Sequence, residues 1–151
     1  MRTARLRALL VPLGPIAGCG DSVSPTPAVI AQGPHGGVAR RLPGDAGFVE
    51  IVNDPEVDRG ARAPTAIVAY FLLPDGTTPL SPLPSGVAFT PAGRGASAAV
   101  KLEPSPKADD PTGAGRFASK AGPYQLEALR GTLAGKVGGQ DFGIELAGGE
   151  R

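Results

Sequence analysis

Cysteine and histidine carry much of nucleophilic and metal chemistry, and this chain of 151 residues holds one of each, Cys19 and His35. A lone cysteine closes no internal disulfide. A lone histidine is a poor start for a zinc or copper site, which usually draws on several His or Cys ligands. His35 would need carboxylates beside it, and Glu50, Asp54 or Asp45 would have to supply them. The plainer expectation places His35 at an exposed domain edge, with Gly36 and Gly37 easing a turn. A catalytic triad needs a His held by an acid and touching a nucleophile. His35 is available for one, but no G-x-S-x-G elbow accompanies it. Glycoside hydrolysis needs two facing carboxylates, and the acids here are spread along the chain. Asp109-Asp110 and the Asn53-Asp54…Glu56…Asp58 run offer oxygen ligands for calcium. The run lacks the spacing of an EF-hand loop, so solvated loop acids are expected. Gly93-Arg94-Gly95 and Gly138-Gly139 read as turns and not as phosphate-binding loops. The residues therefore predict no enzyme and no cofactor.

Cys19 stands in a more informative context. Met1 to Arg7 carries Arg2, Arg5 and Arg7 and no acid. An apolar stretch from Ala8 to Ile16 follows, then Ala17-Gly18-Cys19. A positive segment, a short apolar segment and small residues before a cut site make a secretory signal. The stretch is shorter than the roughly 20 apolar residues that span a bilayer, and Pro12 and Pro15 interrupt it. Ile16-Ala17-Gly18-Cys19 resembles the lipobox of bacterial lipoproteins. That resemblance implies a diacylglycerol on the Cys19 thiol, cleavage between Gly18 and Cys19, and a protein held in the cell envelope by its lipid, facing the periplasm or exterior. Gly20 occupies the position where an Asp holds some lipoproteins at the inner membrane, so either membrane remains open.

Loss of residues 1–18 would leave 12 Lys+Arg against 14 Asp+Glu, moving the formal charge from +1 to −2. A chain near neutrality gives no electrostatic case for nucleic acid. Nor does any basic cluster suggest a second membrane contact.

The elements that would position these residues are short strands. Residues 19–34 read as the lipidated Cys and a flexible or PPII-like tether rich in Ser, Pro and Thr. The folded domain is expected over 35–147, with a frayed tail at 148–151. Strand patterns run over Val38–Leu42 and Phe48–Val52, then, after a polar loop from Asn53 to Pro64, over Thr65–Leu73. The last run is nearly all apolar, as expected of a central strand with both faces covered. Pro74-Asp75-Gly76 is a turn, and Pro79, Pro82 and Pro84 make Thr77–Ser85 an edge or irregular crossing. Val87 with Phe89, and Ala98, Val100 and Leu102, alternate as half-buried strands. Arg116–Ala118, Tyr124–Ala128 and a final hairpin of Thr132–Val137 with Phe142–Leu146 complete the set. Seven to nine short strands with Gly- and Pro-rich turns predict an all-β, antiparallel sandwich.

Asp110-Pro111-Thr112-Gly113, Arg116-Phe117 and Gly122-Pro123-Tyr124-Gln125-Leu126 are similar to a pattern of transthyretin-like and carboxypeptidase-regulatory-like modules, and more loosely of immunoglobulin-like domains. The resemblance implies a tyrosine corner, with Phe117 in the core, a reversal at Gly122 and the Tyr124 hydroxyl bonded back to the backbone. It implies a fold and no activity. His35-Gly36-Gly37 and the Tyr70–Ser85 run also resemble small bacterial envelope lipoproteins, and similar His-Gly-Gly openings lie near β-modules of heavy-metal efflux adaptors. The expected role is a membrane-anchored, non-enzymatic binding or structural module for an envelope protein or glycan. The alternative is a metal- or ligand-binding accessory of an efflux or transport system.

Overall fold

The computed structural model describes residues 29–30, 33–53, 65–92, 98–124 and 129–147. Ten strands run through them: β1 (Val29–Ile30), β2 (Val38–Arg41), β3 (Phe48–Asn53), β4 (Ile67–Leu72), β5 (Ser85–Pro91), β6 (Val100–Lys101), β7 (Glu103–Pro104), β8 (Arg116–Ala118), β9 (Gly131–Val137) and β10 (Gln140–Leu146). Every strand pairing is antiparallel. One sheet has the order β1-β2-β3-β4-β8-β7 and the other β10-β9-β5-β6. The protein is an all-β sandwich. Among the described residues no helix is long and apolar enough to cross a membrane.

Period-two alternation decides which side chains meet between the sheets. Val49, Ile51, Ala69, Phe71 and Phe117 from the first sheet pack against Val87, Phe89, Leu133, Phe142 and Ile144 from the second. Phe71 lies at the centre, with Phe117 and Phe142 edge-on at ring-centroid distances of 5.3 and 5.8 Å. Burying such a ring is worth roughly 1.5–3 kcal/mol of transfer free energy before entropy.

β4 is buried along its whole length, as its unbroken apolar run predicts. Its outer residues Val68, Tyr70 and Leu72 join Ala39, Phe48 and Val52 in a second apolar cluster on the far side of the sheet. The Ala98–Leu102 alternation resolves differently from one strand. Val100–Lys101 pairs with β5, and Glu103–Pro104 pairs with β8 in the opposite sheet. Leu102 is the buried crossing point. Val29–Ile30 fall within the span read as tether, and they form an edge strand on β2. The Asn53–Pro64 loop beyond Asn53 and the Gln125–Ala128 part of the expected strand lie outside the described residues.

Candidate functional site

The chemistry-bearing residues that the fold brings together lie on the outer face of the six-stranded sheet. Antiparallel register aligns Ala39, Glu50, Tyr70 and Arg116 in one row across β2, β3, β4 and β8. Glu50 is fully buried, at 0% exposure. An ionised carboxylate is tolerated in such a place only when it is paired and hydrogen-bonded.

The turn before β2 meets that demand. The backbone N–H groups of His35 and Gly37 donate to Glu50 Oε1 at 2.9 and 2.8 Å, and His35 Nδ1 lies 2.8 Å from Oε2. Gly33 must come so close that a Cβ there would collide with the Glu50 carboxylate, and Gly36 holds φ +75°. Both positions therefore favour glycine. The His35 ring then lies flat on Tyr70, with centroids 3.8 Å apart and an interplanar angle of 11°.

A second loop closes over the ring from the other side. His35 Nε2 is 2.9 Å from Thr112 Oγ1 and 3.3 Å from Asp110 Oδ2. Asp110 Oδ1 accepts the Thr112 N–H at 2.8 Å and the Thr112 hydroxyl at 2.6 Å. Arg116 donates to Ser105 Oγ at 2.6 Å and to the Ser105 carbonyl at 3.0 Å. Burial pushes the Tyr70 phenol above its usual value, and its hydrogen bond to Asp110 adds to the rise against a smaller opposing pull from Arg116. Burial alone would raise the Asp110 carboxyl, but the Thr112 hydroxyl and amide, Tyr70 and His35 together pull it below the usual range.

This arrangement can do two things on geometry alone. Thr112 Oγ1, His35 and Glu50 stand in the order of nucleophile, base and orienting acid. Thr112, however, is only 6% exposed, and its hydroxyl hydrogen is donated to Asp110. A metal would need ligands converging on one point. Glu50 takes one edge of the His35 ring and Asp110 the other. Among the described residues no three of His, Cys, Asp and Glu converge in that way. A ring N–H at either nitrogen has an oxygen acceptor within reach, Glu50 at Nδ1 and Thr112 or Asp110 at Nε2. The cluster clasps the 33–37 turn and the 105–115 loop onto the sheet.

His35 and Glu50 thus come together as the metal expectation required, with His35 21% exposed and not at a loose edge. Asp45 does not join them; it is exposed and pairs with Arg41 at 3.4 Å. Asp54, Gly18 and Cys19 lie outside the described residues. Phe117 is in the core. The Tyr124 ring packs over Gly122 and against the core edge. Tyr124 is held through its backbone: its carbonyl accepts the Thr65 hydroxyl and its N–H donates to Gly122 O at 2.8 Å. Among the described residues its hydroxyl has no acceptor, so the hydroxyl bond of a tyrosine corner is replaced by a bond at the carbonyl.

Sequence reasoning missed Tyr70, Asp110, Thr112 and Arg116 as members of one cluster. One signal was present. Glu50 interrupts the apolar run of Phe48–Val52 on the same face as Phe48 and Val52, which marks it as a covered acid in need of donors. A further concavity lies at one end of the sandwich. It is a cleft of about 300 Å³ whose walls include Ala46, Leu73, Leu80, Pro82, Val137 and Phe142.

No family model matches the chain, and neither does any curated protein or solved structure compared with it.

Proposed function

We propose that this protein is a lipid-anchored envelope module that binds or supports another component and catalyses nothing. The anchor is read from the charged segment, the apolar stretch and Ile16-Ala17-Gly18-Cys19. The sandwich would belong with transthyretin-like or immunoglobulin-like modules. The observation that carries the non-enzymatic part is the closed state of the His35 cluster. Among the described residues no buried side-chain nitrogen or oxygen lacks a hydrogen-bond partner. The sole histidine serves to fix two loops. Its partner would be an envelope protein or glycan, engaged by loops or an edge strand.

Fatty-acid labelling in a bacterial host tests the anchor. Label should enter the wild-type chain and not Cys19→Ala, which should also leave the membrane fraction. A Cys19→Ala chain that still carries label and stays with membranes would refute the reading.

One observation favours the metal-handling alternative. Glu50 on Nδ1 turns Nε2 toward Asp110 and Thr112, the way outer-shell acids orient metal-binding imidazoles. Titration of the full chain with zinc, copper and calcium decides it. Binding no tighter than about millimolar, or unchanged by His35→Ala, removes this reading.

A further inference from the structure

We propose that the end of the sandwich bearing the apolar cleft is the membrane-facing end, and that its rim contacts the bilayer surface. The inference rests on the lipid-anchor reading and adds an orientation to it.

The argument begins with β1. Val29 pairs with Arg40 and Ile30 with Ala39. The strand therefore enters the sheet at the Arg40–Arg41 end of β2 and runs toward the His35 turn. Val29, the first residue of β1, thus lies at the end of β2 from which the chain passes into Pro43 and Gly44, and these line the cleft. Nine residues, 20–28, lie between Cys19 and Val29. At full extension they reach at most about 32 Å. The opposite end, at Ala121 and Ala147, stands farther from the attachment point by the length of a seven-residue strand, about 23 Å.

The surface at the tether end suits that contact. Leu83, in the Pro-rich crossing beside Pro82, is the large apolar side chain left exposed among the described residues, at 43%. Beside it the cleft offers apolar walls. The charges here are largely matched: Arg41 with Asp45 at 3.4 Å and Lys136 with Asp141 at 2.6 Å. The Asp75 carboxylate is occupied by Thr77 and Thr78. Such a surface has no basic excess to seek anionic lipid. Apolar contact with a zwitterionic bilayer is what it can make.

The test uses the full chain, expressed with its own leader, purified from membranes and placed in phosphatidylcholine vesicles with bromines on the acyl chains. With the Cys19 thiol acylated, an introduced cysteine takes a fluorescent label selectively. A label at Ser85→Cys, beside Leu83, should lose most of its emission to the bromines. A label at Ala121→Cys should keep it. Adding Leu83→Asp to the Ser85→Cys chain should restore emission while the protein still floats with vesicles. Equal quenching at both positions, or stronger quenching at position 121, overturns the orientation alone. Failure of every chain to float overturns the anchor reading and the orientation with it.

Discussion

The two faces of the six-stranded sheet are both buried, but by different means. The inner face meets a second sheet through interdigitated apolar side chains around Phe71. The outer face carries a smaller apolar cluster with Val68 and Leu72, and on it a handful of polar contacts around Glu50 hold two loops to the sheet. An apolar interface spreads its free energy over many contacts, each small. A buried carboxylate concentrates it, because removal of one partner leaves several donors unsatisfied. The outer face should therefore respond sharply to polar substitutions and the inner face to loss of volume.

The largest effect expected is at the inner face. Phe71→Ala should cost about 3–5 kcal/mol by chemical denaturation, from lost transfer free energy and the cavity left behind. A loss below about 1 kcal/mol would mean the sheets close over the gap and the packing is loose.

Glu50→Leu is the matching test of the outer face. It should cost about 2–4 kcal/mol, since the N–H groups of His35 and Gly37 and the His35 ring lose their acceptor. Protease cleavage should rise within 33–37 at the same time. Buried ion pairs can sometimes be replaced by apolar side chains without loss. An unchanged midpoint in Glu50→Leu would show that this is so here and erase the contrast between the faces.

Acid should loosen the outer face before the inner one. The folded value of Asp110 lies below its usual one. Its contribution is thus full above the unfolded carboxylate value, about pH 3.9, and is lost as pH falls through the folded value. Asp110→Asn should flatten that part of the stability profile below about pH 4. An identical acid profile in the variant would remove Asp110 from the clasp.

The smallest effect is expected at Tyr124. Its hydroxyl meets no acceptor among the described residues, so Tyr124→Phe should change stability by no more than about 0.5 kcal/mol. A loss of 1–2 kcal/mol would restore the hydroxyl bond of a tyrosine corner.

The contrast between the faces also explains what could be read from the sequence. Phe48–Val52, Thr65–Leu73, Arg116–Ala118 and the last hairpin are legible because alternation or an apolar run registers burial directly. The sheet change at Leu102 is not, since β6 and β7 share one alternation and only pairing separates them. His35 and Glu50 could be named as a possible pair. Thr112 could not, because it joins His35 across 77 positions through loop geometry that no local pattern encodes. Asp110-Pro111-Thr112-Gly113 announced a turn, and only the fold shows which ring that turn covers. Tyr70 hid inside the apolar run of β4, where it reads as one more core residue.

The central claim is that Cys19 is the lipidated first residue of the mature protein, and mass spectrometry of protein extracted from bacterial membranes tests it most directly. The account predicts an N-terminal peptide that begins at Cys19 and carries a diacylglyceryl group on its sulfur. A mature N-terminus elsewhere, or Cys19 present as an unmodified thiol, would contradict it.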